Sequence, residues 1–569
     1  MKRSGHFGRR NFLGASGLAA ASLVTGLPLA TAWAKSPHES TNGAFESDLA
    51  LELTARPRSL ELRSGSTTAA WSYEARVLKG DPASIRSHPD STLGPTLYMH
   101  QGQKVRIDFV NELDQPSIVN WHGLHVPADM MGLPRYEVAP GKRYRYEFRV
   151  NDRAGTYWYH AMAAGHTPEQ VYFGLAGLLI VSDDEETSLS LPPGEYDIPI
   201  VLQDRLWGQD GQLHYLPGTG PAASREPQTD GGPTSQGGMM ANHGMMGGGM
   251  ISGDMGSMMT RMMGFFGDSI FVNGRPVQPL ELATHAYRLR VLNASNARTY
   301  KLAWKDGRPL TIIATDGGLL REPVHRAYVM LTPGQRIELW ADFSRDAVGS
   351  DLTLMSESFS SMMNMGDMMS GSGLMGMMGG MMGSGNMMGT SSLPDGAAFP
   401  ILTAHIARKV ENTLKLPPRL STFERLRAQD AVNQDSPRAF RFTMGGMQWG
   451  FNGRSFEMNA VAPDEIVRLG TTEIWEFANN PMMAHAIHLH GLQFQVLERT
   501  GGTRNAGVTD GCVDEGWLDT VLVMPGERVK LIMRFADYTG LYAYQCHMLE
   551  HAAAGLMRDY EVKASRLFT

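Results

Sequence analysis

Near the C-terminus, the run Tyr544-Gln545-Cys546-His547-Met548-Leu549-Glu550-His551 places a thiol, an adjacent imidazole and a second imidazole five positions on. One soft thiolate with two imidazoles is the trigonal donor set of an electron-transfer copper site. Cys546 and His551 suit one such ion. On an extended strand His547 points the other way, because successive side chains alternate faces. Upstream, His485-Ala486-Ile487-His488-Leu489-His490-Gly491 spaces three histidines to supply ligands to more than one metal.

These donors need a scaffold, and the chain repeats one. Pro140-Gly141-Lys142-Arg143, Pro333-Gly334-Gln335-Arg336 and Pro525-Gly526-Glu527-Arg528 each precede a segment of alternating apolar residues. Turn chemistry followed by period-2 patterning predicts β-hairpins. Val272-Asn273-Gly274 and Phe451-Asn452-Gly453 are a second echo. Many short strands with Gly/Pro turns predict an all-β chain of β-sandwiches, with domains at about 50–185, 195–355 and 400–565.

The chain has 569 residues and a formal net charge of −7, which gives no reason to invoke nucleic acid. Arg9-Arg10-Asn11-Phe12-Leu13, a mildly apolar stretch and the small residues Ala32-Trp33-Ala34 predict a twin-arginine signal over 1–34. The expectation is a soluble periplasmic monomer, handled by the twin-arginine translocase during export and without stable membrane insertion. An oxidising compartment favours a disulfide between the two cysteines, Cys512 and Cys546. The metal-ligand surroundings of Cys546 argue against it and leave Cys512 a free thiol.

Two low-complexity segments interrupt the pattern. Residues 239–263, an insert in the second domain, hold ten methionines; residues 362–388, inside a 356–392 connection, hold twelve, so the two carry 22 of the 38 in the chain. Flexible linker explains the glycines but not the methionines, whose thioethers suit Cu(I). Copper collection is the favoured reading.

The whole mature chain resembles the three-domain multicopper oxidases, most closely the periplasmic cuprous oxidases of copper tolerance, and also a copper-free cell-division relative of that fold. The resemblance rests on four histidine motifs, on Gly174-Leu175-Ala176-Gly177 and on Arg290-Val291-Leu292-Asn293-Ala294-Ser295-Asn296. It implies three cupredoxin-like Greek-key β-sandwich domains. It also implies a type 1 copper on His485, Cys546 and His551, with the non-ligating Leu556 at the axial position.

The family's trinuclear cluster uses eight histidines in four pairs, and three are replaced here. The motifs read Asn120-Trp121-His122, His160-Ala161-Met162, His488-Leu489-His490 and Gln545-Cys546-His547. Asn120, Met162 and Gln545 are the replacements. The resemblance assigns His122, His160 and His547 to one copper, leaving His488 and His490 as single survivors of the other two. Met131 and Ala552 stand at two acidic proton-handling positions of the relatives, with Asp129 and Glu550 nearby. His125 and His166 are further imidazoles that could complete the cluster. Met483 matches a methionine that holds substrate Cu(I), although Pro481 replaces the acid that accompanies it.

The expected function is a copper-dependent oxidoreductase taking electrons from Cu(I) or a small reducing substrate, with Cys546 and His547 as the electron path. Loss of three cluster ligands makes full four-electron reduction of oxygen doubtful. Two alternatives stand beside it: a two-copper reductase with a nitrite-reductase-like layout, and a non-enzymatic copper-binding or electron-transfer protein.

Overall fold

The computed structural model describes residues 45–221, 260–360 and 392–564, apart from 412, 447, 482, 503 and 504. The expected export signal and all but 260–263 of the methionine-rich runs lie outside the described residues. The regular structure of the described chain is mostly β, with a few short helices, and forms three cupredoxin-like sandwiches. Among the described residues no helix is long and apolar enough to cross a membrane.

The first sandwich packs a four-stranded sheet, in the order Ser66–Lys79, Leu49–Arg63, Lys104–Asn111 and Arg143–Arg149, on a five-stranded one. The latter runs Ile85–Arg86, Thr96–His100, Ala176–Ser182, Gly155–Ala161 and Val119–His122. Arg143–Arg149 illustrates the local cause. Tyr144, Tyr146 and Phe148 point inward while the intervening residues stay partly exposed, so period-2 patterning fixes which face is buried.

The second sandwich opposes an eight-stranded sheet, built around Asp197–Trp207, Ala286–Asn293 and Arg336–Asp342, to a five-stranded one. Phe399–Arg408 belongs to the latter, pairing with Asp351–Ser356 and Leu280–Ala283. The sequence expectation had ended this domain at 355 and begun the third at 400. The methionine-rich run broke the pattern there, and hid that the strand beyond it returns to the same sheet. The third sandwich sets Gln448–Phe451, Arg438–Gly445, Thr471–Ala478, Glu527–Phe535 and Phe494–Gly501 against Ile466–Arg468, Met557–Lys563, Gly540–Cys546, His485–Leu489 and Thr520–Val523.

The recurring Pro-Gly turns sit where the pattern placed them, ahead of Arg143–Arg149, Arg336–Asp342 and Glu527–Phe535. Gly141, Gly334 and Gly526 have φ of 71°, 88° and 76°, which an L side chain rarely adopts. Asn273-Gly274 forms a two-residue hairpin with both φ positive, as such tight turns require.

Candidate metal centre

Strand pairing brings the donors together. His485–Leu489 lies between Gly540–Cys546 and Thr520–Val523, with Ile487 opposite Cys546, and His488 opposite both Gln545 and Thr520. In the first sandwich Val119–His122 pairs with Gly155–Ala161, so Asn120 faces His160. The two sheets meet at a buried seam that collects histidines from both ends of the chain.

The first donor set is Cys546, His485 and His551, all fully buried. Cys546 Sγ lies 3.6 Å from His485 Nδ1 and 3.6 Å from His551 Nδ1, and the two nitrogens are 3.2 Å apart. Donors about 2.0–2.3 Å from a shared ion in a trigonal plane lie roughly 3.5–3.8 Å from one another, so the set fits one metal ion. Burial pushes the Cys546 thiol up to about 12 and His551 down to about 4. His485 is also lowered by burial, then by His551. The imidazoles are therefore neutral and available, whereas the thiolate needs a cation beside it. Trp449 packs 4.9 Å from the His485 ring and 5.3 Å from the His551 ring, and Phe442 4.9 Å from His485. Leu556 is fully buried; its N–H donates to His551 O and its carbonyl accepts from Cys546 N–H, which ties the axial candidate to both ligands.

The second set is His122, His160 and His547, also fully buried, with ligand atoms within 4.8 Å of one another. His160 Nε2 is 3.3 Å from His122 Nδ1 and 3.4 Å from His547 Nε2. His160 Nδ1 lies 2.9 Å from the Ala161 carbonyl and must carry the proton, leaving Nε2 a bare lone pair. His122 Nε2 lies 3.0 Å from Asp519 Oδ1 and is likewise protonated, leaving Nδ1 bare. Two lone pairs that converge with no proton between them repel each other unless a cation sits there. The donor set therefore fits a metal. Burial lowers all three histidines, His160 to about 3.

A third grouping, His122, His488 and Asp519, fits less well. The two imidazoles stack at 3.7 Å and 13°, and nearly parallel rings cannot both aim in-plane lone pairs at one ion. His488 Nδ1 lies 2.8 Å from the Asp519 carbonyl. Asp519 serves here as a hydrogen-bonded support.

The three replaced positions lie in the same seam, each buried. Asn120 donates to Met131 O and to His490 Nδ1, at 2.9 and 3.2 Å. Among the described residues, His488 Nε2, His490 Nε2 and the Gln545 amide nitrogen have no hydrogen-bond partner. Neither spare imidazole joins a converging set among the described residues: His125 Nδ1 is held 2.6 Å from Asp152, and His166 is 40% exposed beside Glu169. Asp129 lies in the short helix Ala128–Met130. Glu550 is buried and accepts from Tyr215 and Asn296. Met483 is half-buried against the hydrophobic cluster that includes Cys546. Cys512 and Cys546 are both free thiols.

Sequence reasoning missed Asp519, Asp316, Arg336 and Thr520. Arg336 closes the second Pro-Gly turn, so its recurrence was visible but its role was not. Burial alone would raise Asp519, but Arg336 first and His122 next hold it well below the usual carboxylate range. Asp316, sharing the same guanidinium, is pushed up by burial.

Residues 72–186 and 431–566 match models of the multicopper oxidase family. The chain is 28% identical over 538 residues to a laccase of Bacillus stratosphericus, covering 84% of this chain and 91% of that protein. It is 27% identical over 474 residues to the cell division protein FtsP of Escherichia coli, covering 82% of each. The crystal structure of the McoA multicopper oxidase from Aquifex aeolicus superposes with a TM-score of 0.69 at 28% identity, over 91% of this chain and 97% of that one.

Proposed function

We propose that this relative of the three-domain multicopper oxidases is an exported copper-dependent oxidoreductase that takes electrons singly from Cu(I), or from a small reducing molecule, in the service of copper tolerance. Copper held by these donors supplies one-electron redox chemistry, its potential set by the thiolate and the axial position. The residues do the rest. His485, Cys546 and His551 offer a preformed trigonal set. Trp449 and Phe442 pack against its imidazoles, and Leu556, buried and hydrogen-bonded through its backbone to Cys546 and His551, would offer a copper there no further donor. Cys546 and His547 are chain neighbours belonging to the two donor sets, so a covalent path of one peptide unit joins them.

The observation that carries the choice of Cu(I) is where the methionine-rich insert ends. Its last residues, 260–263, are described and lead toward the first donor set. Met262 is buried in the same core cluster as Cys546, its backbone lies against His551, and the backbone of Phe265 reaches Glu550. A segment rich in soft thioethers thus terminates beside the site that would receive the electron.

A second reading, a two-copper reductase, is favoured by one specific feature: among the described residues two three-donor sets are suited to one ion each, and the third grouping, with stacked His122 and His488, is not. Both readings give two coppers by metal analysis, visible and EPR spectra, and the acceptor separates them: air restores a Cu(I)-bleached blue band in the first, nitrite but not air in the second. Two coppers per chain, one blue and one not, with Cu(I) bleaching the blue band and air restoring it, is the expected outcome. A colourless copper-loaded protein refutes the proposal. Four coppers refute the ligand arithmetic.

A further inference from the structure

We propose that Arg336, acting through Asp519, is a positioning residue that sets which nitrogen of His122 faces the three-histidine set; this rests on reading that set as a copper site. Arg336 comes from the second sandwich, Asp519 from the third and His122 from the first. All three are buried, with the Arg336 and Asp519 side chains fully enclosed.

Every N–H of the Arg336 guanidinium is engaged. Nε donates to Thr156 O at 3.0 Å. Nη1 donates to Gly334 O at 3.0 Å and to Asp519 Oδ1 at 2.8 Å. Nη2 donates to Asp316 O at 3.0 Å and to Asp519 Oδ2 at 2.6 Å. Five fixed donors allow this side chain one orientation, and the fork pins both carboxylate oxygens of Asp519. Paired with Arg336, Asp519 is an ionised, acceptor-only group. Its Oδ1 is 3.0 Å from His122 Nε2 and also accepts from Thr520 Oγ1 at 2.9 Å. An acceptor-only neighbour requires His122 to carry its proton on Nε2. Nδ1 is then the bare nitrogen, and it is the one 3.3 Å from His160 Nε2.

The turn that carries Arg336 also touches the site. A Cβ on Gly334 would come within 3.1 Å of His547 and 3.2 Å of His122. Turn and guanidinium together let the second sandwich hold two of the three imidazoles without supplying a ligand.

The test uses the full chain with Asp519→Asn and Arg336→Lys, loaded with copper alone. In Asp519→Asn the new amide N–H must face either Arg336, breaking the fork, or His122, forcing its proton onto Nδ1. Lys cannot hold both oxygens in one plane. The expected result is a non-blue copper bound about 10–100-fold more weakly in each variant, read by equilibrium metal analysis and EPR, with the blue absorption of the Cys546 site unchanged. Wild-type affinity for the non-blue copper in both variants overturns the proposal. Loss of both coppers together also overturns it, because that marks a general structural role. A wild-type chain that binds the blue copper alone overturns the three-histidine reading, and the positioning role with it, and is distinguishable because it needs no variant.

Discussion

Replacing His160 with Gln in the copper-free chain should remove about 2 kcal/mol of acid sensitivity. Burial lowers this imidazole from 6.5 to about 3 in the folded protein. The unfolded chain therefore takes up the proton first as pH falls. Stability is whole above the unfolded value and is lost progressively from there down to about 3. At about pH 5 the loss is roughly 1.5 units at 1.36 kcal/mol per unit, or about 2 kcal/mol for this one group. His160 is fully buried, so solvent screening does not reduce the figure. The raised Asp316 opposes the wild-type slope and is common to both proteins, whereas His547 and His490, which His160 itself helps to lower, are lowered less in the variant and widen the difference in the same direction. The assay is denaturant unfolding of chelator-treated protein at about pH 7.5 and pH 5. It is followed by fluorescence of Trp158, whose ring centroid is 4.3 Å from that of His160. The variant, weaker at the higher pH, should lose about 2 kcal/mol less than wild type on going to the lower. Parallel loss in the two proteins would refute the claim that His160 is held neutral by burial.

Cys546→Ser should abolish the blue absorption while leaving non-blue copper bound, checked by visible and EPR spectra, because serine offers no soft thiolate. Restoring Asn120→His, Met162→His and Gln545→His together should raise copper content and oxygen consumption, whereas single restorations should do little, since each lost position served a set that acts as a unit. Leu556→Met should lower the potential of the blue site in a redox titration by adding an axial thioether. Deleting 362–388 should lower Cu(I) capacity and leave the melting temperature within a few degrees, measured by titration and calorimetry.

The grouping of the candidate donors was legible because donor sets of this kind compress into short motifs. Cys546, His547 and His551 share one run, and the alternation that sends neighbours to opposite faces is local physics. The three-sandwich architecture was legible for the same reason, since Pro-Gly turns and period-2 strands declare themselves within ten residues. What was not legible is long-range. Phe399–Arg408 reads as the start of a domain because nothing nearby reveals that its partners lie at Asp351–Ser356 and Leu280–Ala283. Asp519 sits in an ordinary strand approach, and Arg336 in a turn whose copies elsewhere, at Arg143 and Arg528, do other things. Their meaning arises where three sandwiches meet. The spare imidazoles misled for the converse reason: His125 is close to His122 in sequence, yet Asp152 claims its ring.

His122 and Asp519 are 397 positions apart, and Arg336 stands 183 positions before Asp519. Contacts of such separation are slow to form, because the intervening chain must first be ordered. The second donor set is therefore among the last features to exist as the polypeptide folds. Chains with an undocked third sandwich keep the His122–His160 pair of the first sandwich but lack His547 to close the set and Asp519 to orient His122. Metal bound at this seam would therefore report that the sandwiches have docked, since a ligand that binds there stabilises the docked state over every partial one.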